Sequence, residues 1–413
     1  MSRFLIIGAG ISGCSAAYEL AQEGHEIEVL DCASAVGGKV LSYCCKATTA
    51  CSRCGVCVAH TRLSEALYHP RIHFSLGVSV EEATRSYGEI TVRVRRANPS
   101  IDYRRCIRCN ACLRACPTGC IGVYSRAELV QYPVDYSRCL LHQGKPCAAC
   151  SRACPTAAIT AGSPSTDLDL SAAAVLIASG HQPYDARRKL RLGYGRIPNV
   201  LTAVEAEMIL SRQSFLGRPG GSVAFVQCVG SRDPKEGRNY CSSVCCAYAL
   251  RLARLLKHRS PEAEVTVYTI DLQNFDKAFS LLREELVSSS IHFIRGVPYS
   301  VEQVMGDLSR GASAAGSPVL QGKLRLRVES PQGGESVVEH DTVVLSVGMG
   351  PAAGSARLAE IFGLEADVFG FFSRGSGEAG SGIVTAGTCR EPQSITDSMA
   401  SARAAALEMG RGL

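Results

Sequence analysis

The feature that most restricts what this chain can become is the run Cys106-x-x-Cys109-x-x-Cys112-x-x-x-Cys116-Pro117. A second copy follows as Cys139, then Cys147-x-x-Cys150-x-x-x-Cys154-Pro155, with its first gap widened to seven residues. Three thiolates at this spacing on one loop can cap three irons of a cubane, and the distant cysteine before proline crosses to the other cluster when two such runs are paired. The expected ligand sets are Cys106, Cys109, Cys112 and Cys154 for one 4Fe–4S cluster, and Cys139, Cys147, Cys150 and Cys116 for the other. Zinc is the competing metal, but zinc sites rarely come as an eight-cysteine pattern of this kind. Cys120 is left over.

The chain's 21 cysteines could instead be read as disulfides, but disulfide scaffolds are short secreted chains. Here 413 residues, 46% of them apolar, can bury a large core, and the length predicts two or three domains. Thiolate clusters need a reducing compartment, so a cytoplasmic location is expected. No run of about 18 apolar residues occurs, so any membrane association, such as with its inner face, must come through a partner. The apolar N-terminus is not a signal peptide, because Gly8, Gly10 and Gly13 interrupt it. A net charge of +6 and the absence of Trp give no footing for nucleic acid.

Phe4–Gly8 reads as a buried strand that runs into Gly8-Ala9-Gly10-Ile11-Ser12-Gly13 and then a helix to about Gly24. The first glycine permits the tight turn, the second lets the backbone approach a pyrophosphate, and the third lets helix pack on strand. Asp31 ends the next strand, Glu26–Asp31, where an acid should accept the adenosine ribose hydroxyl. Gly37-Gly38-Lys39 resembles the second glycine pair of FAD enzymes with two dinucleotide domains. Two strand–glycine elements match the same group: Val175–Gly180, with Ala178, Ser179 and Gly180 at its end, and Val343–Gly348. Together they favour FAD over NAD in the first site. Near the end, Thr385–Thr388 precedes a helix from about Ser394 whose N-terminus would stabilise negative charge on the reduced ring. Gly387-Thr388 stands where such flavoproteins carry Gly-Asp. Val78, Ser394 and Ile395 complete the candidate FAD contacts.

Further along, helix Ala247–His258 and strands at Ser222–Val226, Val265–Ile270 and His292–Arg295 mark a second α/β block. Leu324–Val328 and Val337–Glu339 read as a hairpin, and Ala312–Ser317 as a linker. The expected division is 1–97 FAD-binding, 98–164 insert, 165–218 FAD-binding, 219–340 second domain and 341–413 FAD-binding. In enzymes resembling thioredoxin reductase the second domain carries its own glycine turn for a nicotinamide. Here the strand Val223–Gln227 runs into Cys228 instead, and Cys241, Cys245 and Cys246 follow at a helix start. Four thiolates there point to a third cluster, or else to buried structural cysteines. Cys44, Cys45, Cys51, Cys54 and Cys57 could hold a further cluster or a redox-active thiol pair. The insert's arginines (Arg104, Arg105, Arg108, Arg114, Arg126, Arg138 and Arg152) form either a solvated face or a docking surface for an acidic carrier.

Phe225–Asp233, Tyr240–Cys246, Tyr194–Val200 and the placement of the insert resemble the A subunit of heterodisulfide reductase, across essentially the whole chain. The resemblance implies an α/β fold: a thioredoxin-reductase-like FAD-binding Rossmann domain with an inserted two-cluster ferredoxin-like segment and a second, smaller α/β domain. It also implies FAD, an unusual 4Fe–4S cluster on Cys228, Cys241, Cys245 and Cys246, and an oxidoreductase subunit in an anaerobic complex. Other iron–sulfur subunits, with a ferredoxin or hydrogenase-type donor, are the expected partners, and an oligomer is expected. The compact length resembles the related A subunit of the quinone-interacting membrane-bound oxidoreductase, which links menaquinol to adenylylsulfate reductase; the complete insert fits the heterodisulfide branch. The alternatives of other kinds are a zinc-binding scaffold with degenerate flavin elements and a stand-alone NAD(P)H oxidoreductase. No general base or nucleophile is needed, because the cofactors carry the chemistry.

Overall fold

The computed structural model describes the chain except residues 1, 87, 213–214, 274–276, 305–310, 313–317, 320–321, 332, 374–381 and 412–413. Most of the linker read at 312–317 therefore lies outside the described residues. The chain divides into two compact units, the first formed by Met1–Leu41, Gly55–His181 and Pro351–Leu413, the second by Ser42–Cys54 and Gln182–Gly350.

The first unit is built on strands β1 (Arg3–Ile7), β2 (Glu26–Asp31) and β3 (Ile72–Leu76), with helices α1 (Ile11–Gln22) and α2 (Val56–Leu67). Strands β4 (Val78–Ser86), β5 (Glu89–Ala97) and β6 (Ser165–Ala172) form an antiparallel sheet in the order β6-β5-β4. Strand β7 (Ala174–Ile177) and the C-terminal strand Ile383–Thr385 complete a parallel sheet. Its order is the C-terminal strand, then β7-β1-β2-β3. The unbroken apolar run of β1 follows from burial on both faces. Phe4 and Ile6 enter the core shared with α1 and α2, while Leu5 and Ile7 enter the core beneath the antiparallel sheet. Ala16, Ala17 and Ala21 are fully or nearly fully buried on α1, and their small side chains let α2 and the C-terminal helix Ile395–Gly410 pack against it.

Residues 98–164 leave and return at paired positions, because Ala97 of β5 is opposite Ser165 of β6. The segment holds two short helices, α3 (Ala111–Ala115) and α4 (Ala149–Arg152). It is not an appendage. Tyr103, Leu129, Tyr132 and Ile159 belong to the same buried cluster as Phe4 and Ile6. Buried Gln131 accepts the Val36 N–H and donates to the Val36 carbonyl, both at 2.8 Å. The insert is thereby clamped beside Gly37.

In the second unit, strands β8 (Val200–Thr202), β9 (Ser222–Val229), β10 (Glu264–Thr269) and β11 (Ile291–Arg295) are accompanied by helices α5 (Ala203–Arg212) and α6 (Cys245–Arg259). Strands β12 (Val297–Gln303), β13 (Leu324–Glu329) and β14 (Glu335–His340) form an antiparallel sheet, so the expected hairpin is present as β13–β14. Strand β15 (Thr342–Val347) sits between β8 and β9 in the parallel order β8-β15-β9-β10-β11.

This order corrects the expected division. Val343–Gly348 is not an element of the FAD-binding unit, and residues 182–218, 341–350 and 42–54 fall with the second unit. A buried apolar strand looks alike in either sheet. Its membership is decided by pairing with β9, which is distant in sequence.

Candidate cofactor sites

The glycine turn of the first unit shows three different environments. Gly8 has φ +115°, and a Cβ there would collide with the Ala178 carbonyl. A Cβ on Gly13 would collide with the Gly8 carbonyl. Gly10, by contrast, has nothing within 4 Å of where its Cβ would lie. The two outer glycines are therefore demanded by packing, and the middle one faces open space at the N-terminus of α1. That terminus has no side-chain cap and no acidic residue in its first turn, where Ile11 and buried Ser12 stand. Uncapped N–H groups and an open approach are what a pyrophosphate requires.

Asp31 closes the turn from below, accepting the Ala9 N–H at 2.6 Å and the Ala33 N–H at 2.7 Å. Burial raises its pKa, against the pull of these two hydrogen bonds. The Gly37 N–H donates to the Ala9 carbonyl at 2.7 Å, and a Cβ on Gly38 would lie 3.3 Å from Gly10 Cα. Gly37-Gly38 thus lines the same opening, with Lys39 exposed beside it.

From the other strands, Ala178 donates its N–H to the Ile7 carbonyl at 2.7 Å, and Ser179 Oγ is buried with no hydrogen-bond partner among the described residues. Gly180 takes the left-handed conformation, φ +78°. Gly387 is held against Ser12, where a Cβ would collide with the serine hydroxyl. Thr388 Oγ1 lies 3.0 Å from His181 Nδ1. Burial, helped by Lys39, lowers the His181 pKa to about 4. Where a Gly-Asp pair would present a carboxylate, this chain therefore presents a threonine hydroxyl and a neutral imidazole. Ser394 caps the C-terminal helix in a capping box with Asp397, and Ile395 begins it. Val78 is the exception among the candidates: it is packed into the core with Leu5 and Ile7. Gly8, Gly10, Gly37 and Gly38 adjoin at the N-terminus of α1, with Ala178 against Gly8 and Gly387 against Ser12, and the uncapped helix end and unpartnered serine fit a dinucleotide such as FAD.

In the insert, Cys106, Cys109, Cys112 and Cys154 line one small pocket, together with Ile101, Ile107, Tyr132 and Ile159. Burial, with charge repulsion from the nearby Cys147 and Cys139, takes the Cys150 pKa to about 11. Cys116 is drawn to the same side through Cys120, which interacts with both Cys116 and Cys139. Among the described residues no three ligating groups converge on a single-ion position. Four thiols spread around an apolar cavity suit a polynuclear cluster, whose irons stand between the sulfurs.

A reciprocal pair of hydrogen bonds accounts for the crossing of Cys116 and Cys154. Arg105, just before Cys106, donates to the Thr156 carbonyl at 2.8 Å, and Arg138, just before Cys139, donates to the Thr118 carbonyl at 2.5 Å. Asp102-Tyr103-Arg104-Arg105-Cys106 and Asp135-Tyr136-Ser137-Arg138-Cys139 are thus one repeated D-Y-x-R-C motif, a signal the cysteine spacing alone did not expose. Arg105 and Arg138 thus brace the two halves of the insert, and Arg104 pairs with Asp102.

Sequence spacing also left Cys120 without a place. Its Sγ lies 3.4 Å from Cys116 Sγ, where the other half of the insert carries Ala158. Burial opposes the shift, but hydrogen bonds from Thr118 and Cys120 lower the Cys116 pKa to about 7.

In the second unit Cys228, Cys241, Cys245 and Cys246 interact as one group. Hydrogen bonds link Cys245 to Cys228 and Cys246, lowering the pKa of both, Cys246 to about 7, while Cys245 is raised. Cys241 is coupled by charge to Cys228 and Cys246. Cys228 has φ +61° at the bulged end of β9, and the ion-paired Arg232 and Asp271 stand beside the thiols. The glycine in this turn is not open. A Cβ on Gly230 would collide with the Tyr184 ring, whereas the one on Gly10 meets nothing.

Comparison with known proteins agrees with this geometry. Residues 6–66 match the NAD(P)-binding Rossmann-like domain and residues 105–158 the 4Fe-4S dicluster domain. The iron–sulfur A subunit of the CoB--CoM heterodisulfide reductase from Methanocaldococcus jannaschii is 28% identical over 97% of this chain and 63% of its own length. A second such protein, from Methanopyrus kandleri, is 29% identical over 100% of this chain and 64% of its own length. This chain is similar to the heterodisulfide reductase A subunits over nearly its whole length. It spans under two thirds of the length of these relatives.

Among solved structures, thioredoxin reductase of T. acidophilum superposes with a TM-score of 0.54 at 14% identity, covering 99% of this chain and 97% of its own. That of Lactococcus lactis gives 0.53 at 12% identity, covering 100% and 98%. At such identity the likeness shows the fold: a thioredoxin-reductase-like Rossmann architecture with a dicluster insert.

Proposed function

We propose that this chain is an FAD- and iron–sulfur-containing electron-transfer oxidoreductase subunit. The observation that carries the reading is the clamp between Gln131 and Val36. It ties the thiol-rich insert to the Gly37–Gly38 side of the dinucleotide opening within one folded unit.

Gly8, Gly10, Gly13, Asp31, Gly37 and Gly38 would hold FAD, with Ser179, Gly180, Gly387 and Thr388 on its other side. Cys106, Cys109, Cys112 and Cys154 would hold one 4Fe–4S cluster, and Cys116, Cys139, Cys147 and Cys150 the second. Cys228, Cys241, Cys245 and Cys246 would hold a third. When bound, the flavin accepts or donates two electrons and each cluster one. The chain's own residues fix positions and exclude water. Gln131 fixes the insert against the flavin turn, Arg105 and Arg138 hold the crossed cysteines in register, and Tyr184 covers the turn where a nicotinamide would need access.

Its partners would be further iron–sulfur subunits of a heterodisulfide-reductase-like complex with a ferredoxin or hydrogenase-type donor, located in the cytoplasm. The names of the relatives favour this over the quinone-linked branch and the zinc scaffold. Anaerobic titration of the isolated chain tests the reading. A low-potential one-electron donor should reduce the flavin and clusters, and NADH or NADPH should not. Stoichiometric bleaching of the flavin by a reduced nicotinamide would contradict it.

A further inference from the structure

Strand β9 carries a bulge at its C-terminal end. Val226 is paired with Leu345 of β15 and Val229 with Val347, so Gln227 and Cys228 together oppose Ser346. The extra residue turns the chain, Cys228 takes φ +61°, and a bulge of this kind re-aims the side chains around it. Before the bulge, Phe225 and Val344 face the core shared with α6, while Val226 and Leu345 face the antiparallel sheet. Alternation therefore places Gln227 and Ser346 on the α6 side, one step beyond Phe225 and Val344. Cys246 and Ala247, in the first turn of that helix, belong to the same buried cluster.

Gln227 and Ser346 are each 1% exposed. Among the described residues, neither the amide Nε2 and Oε1 of Gln227 nor Ser346 Oγ has a hydrogen-bond partner. Burying such groups without partners costs stability. The first unit avoids that cost. There Ile6 pairs with Leu176 on the α1 side, and the next positions on that face are Gly8 and Ala178, packed on one another. The second unit has a carboxamide and a hydroxyl at the matching places. Its thiol group begins at the bulge and at the start of α6, whose N-terminus has no side-chain cap and no acidic residue in its first turn.

We infer that Gln227 and Ser346 are hydrogen-bond donors to the group held by Cys228, Cys241, Cys245 and Cys246, through Nε2 and Oγ to its sulfur atoms. This rests on the third cluster of the proposed function and goes beyond it by naming what sets that cluster's potential. A cluster gains one negative charge on reduction, so donors aimed at its sulfurs favour the reduced form. The same bonds account for two polar side chains in a place that the first unit fills with glycine and alanine.

The test uses the full chain reconstituted anaerobically, with potentials read from a redox titration followed by electron paramagnetic resonance. Cys228→Ala identifies the third cluster's signal as the one it removes. Gln227→Leu and Ser346→Ala should each keep FAD and iron and lower the potential of that signal alone. The expected change in its reduction equilibrium is about tenfold, ~59 mV for one electron. A potential unchanged in both variants, or raised, would overturn the inference. A second measurement needs no variant. With glutamine side chains carrying the heavy nitrogen isotope, the reduced third cluster should show a hyperfine coupling to Nε2, and its absence would overturn the role of Gln227. Gln227→Leu should also be at least as stable as the unaltered chain without iron and less stable with iron bound; the same effect in both states would overturn it. A chain in which Cys228→Ala removes no signal overturns the third cluster as well, which separates the two failures.

Discussion

Lys46 and Glu207 form an ion pair whose side chains are 2% and 0% exposed. Glu207 also accepts from the Cys44 N–H and the Tyr248 hydroxyl, and Lys46 donates to the Cys44 carbonyl at 3.1 Å while facing the rings of Tyr43 and Tyr248. This network fixes residues 42–54 onto α5 and α6. Removing one charge leaves the other buried and unpaired, so Lys46→Met should cost about 3–5 kcal/mol. Lys46→Met/Glu207→Gln should cost less than the sum of the single changes. Denaturant midpoints of the three variants check this.

The glycine turn separates folding from binding. Gly10→Ala places its methyl in open space and should leave the thermal midpoint near that of the natural chain while abolishing FAD binding. Gly13→Ala, whose Cβ would collide with the Gly8 carbonyl, should unfold the first unit or lower its midpoint by several degrees. Flavin content and thermal unfolding of the two variants, measured side by side, give the answer.

Cys120 stands where it could replace Cys116 as a ligand of the proposed second cluster. Because its sulfur stands 3.4 Å from that of Cys116, Cys116→Ala should retain nearly all of the insert's iron. Cys116→Ala/Cys120→Ala should lose about four irons per chain. Cys154→Ala has only Ala158 at the matching place and should lose its cluster alone. Iron analysis of the three proteins decides the matter.

His340 makes the second unit sensitive to mild acid. It is buried, with Nε2 2.9 Å from the Tyr268 hydroxyl, and burial, aided by Lys323, lowers its pKa to about 4. Its folded pKa lies below the unfolded value of about 6.5, so its contribution is complete above that pH and is lost as pH falls toward 4. Full protonation would remove roughly 3 kcal/mol. The stability advantage of the natural chain over His340→Gln should therefore shrink between pH 7.5 and 5.5. A difference that stays constant with pH would contradict this.

Much of this organisation was legible in the sequence because it is local. Phe4–Gly13 and Glu26–Asp31 announce a strand, turn, helix and strand through apolar runs and glycines whose purposes are steric. The insert's cysteines announce themselves by spacing. What was not legible depends on pairing across long separations. Val343–Gly348 reads as a flavin-unit strand until it is seen between β8 and β9. Glu207 on α5 is paired with Lys46, 161 residues away in sequence, a partnership that no local pattern marks. Residues 51–57 and 106–112 share the pattern C-x-R-C-x-x-C, but nothing in that pattern announces that Arg53 and Arg108 both take the left-handed conformation.

The measurement that bears most directly on the account is a cofactor count on the anaerobically prepared full chain. It should contain one FAD and at least about eight irons with matching acid-labile sulfide, and no stoichiometric zinc. Zinc in place of iron, or a chain that takes up neither flavin nor iron after reconstitution, would contradict it.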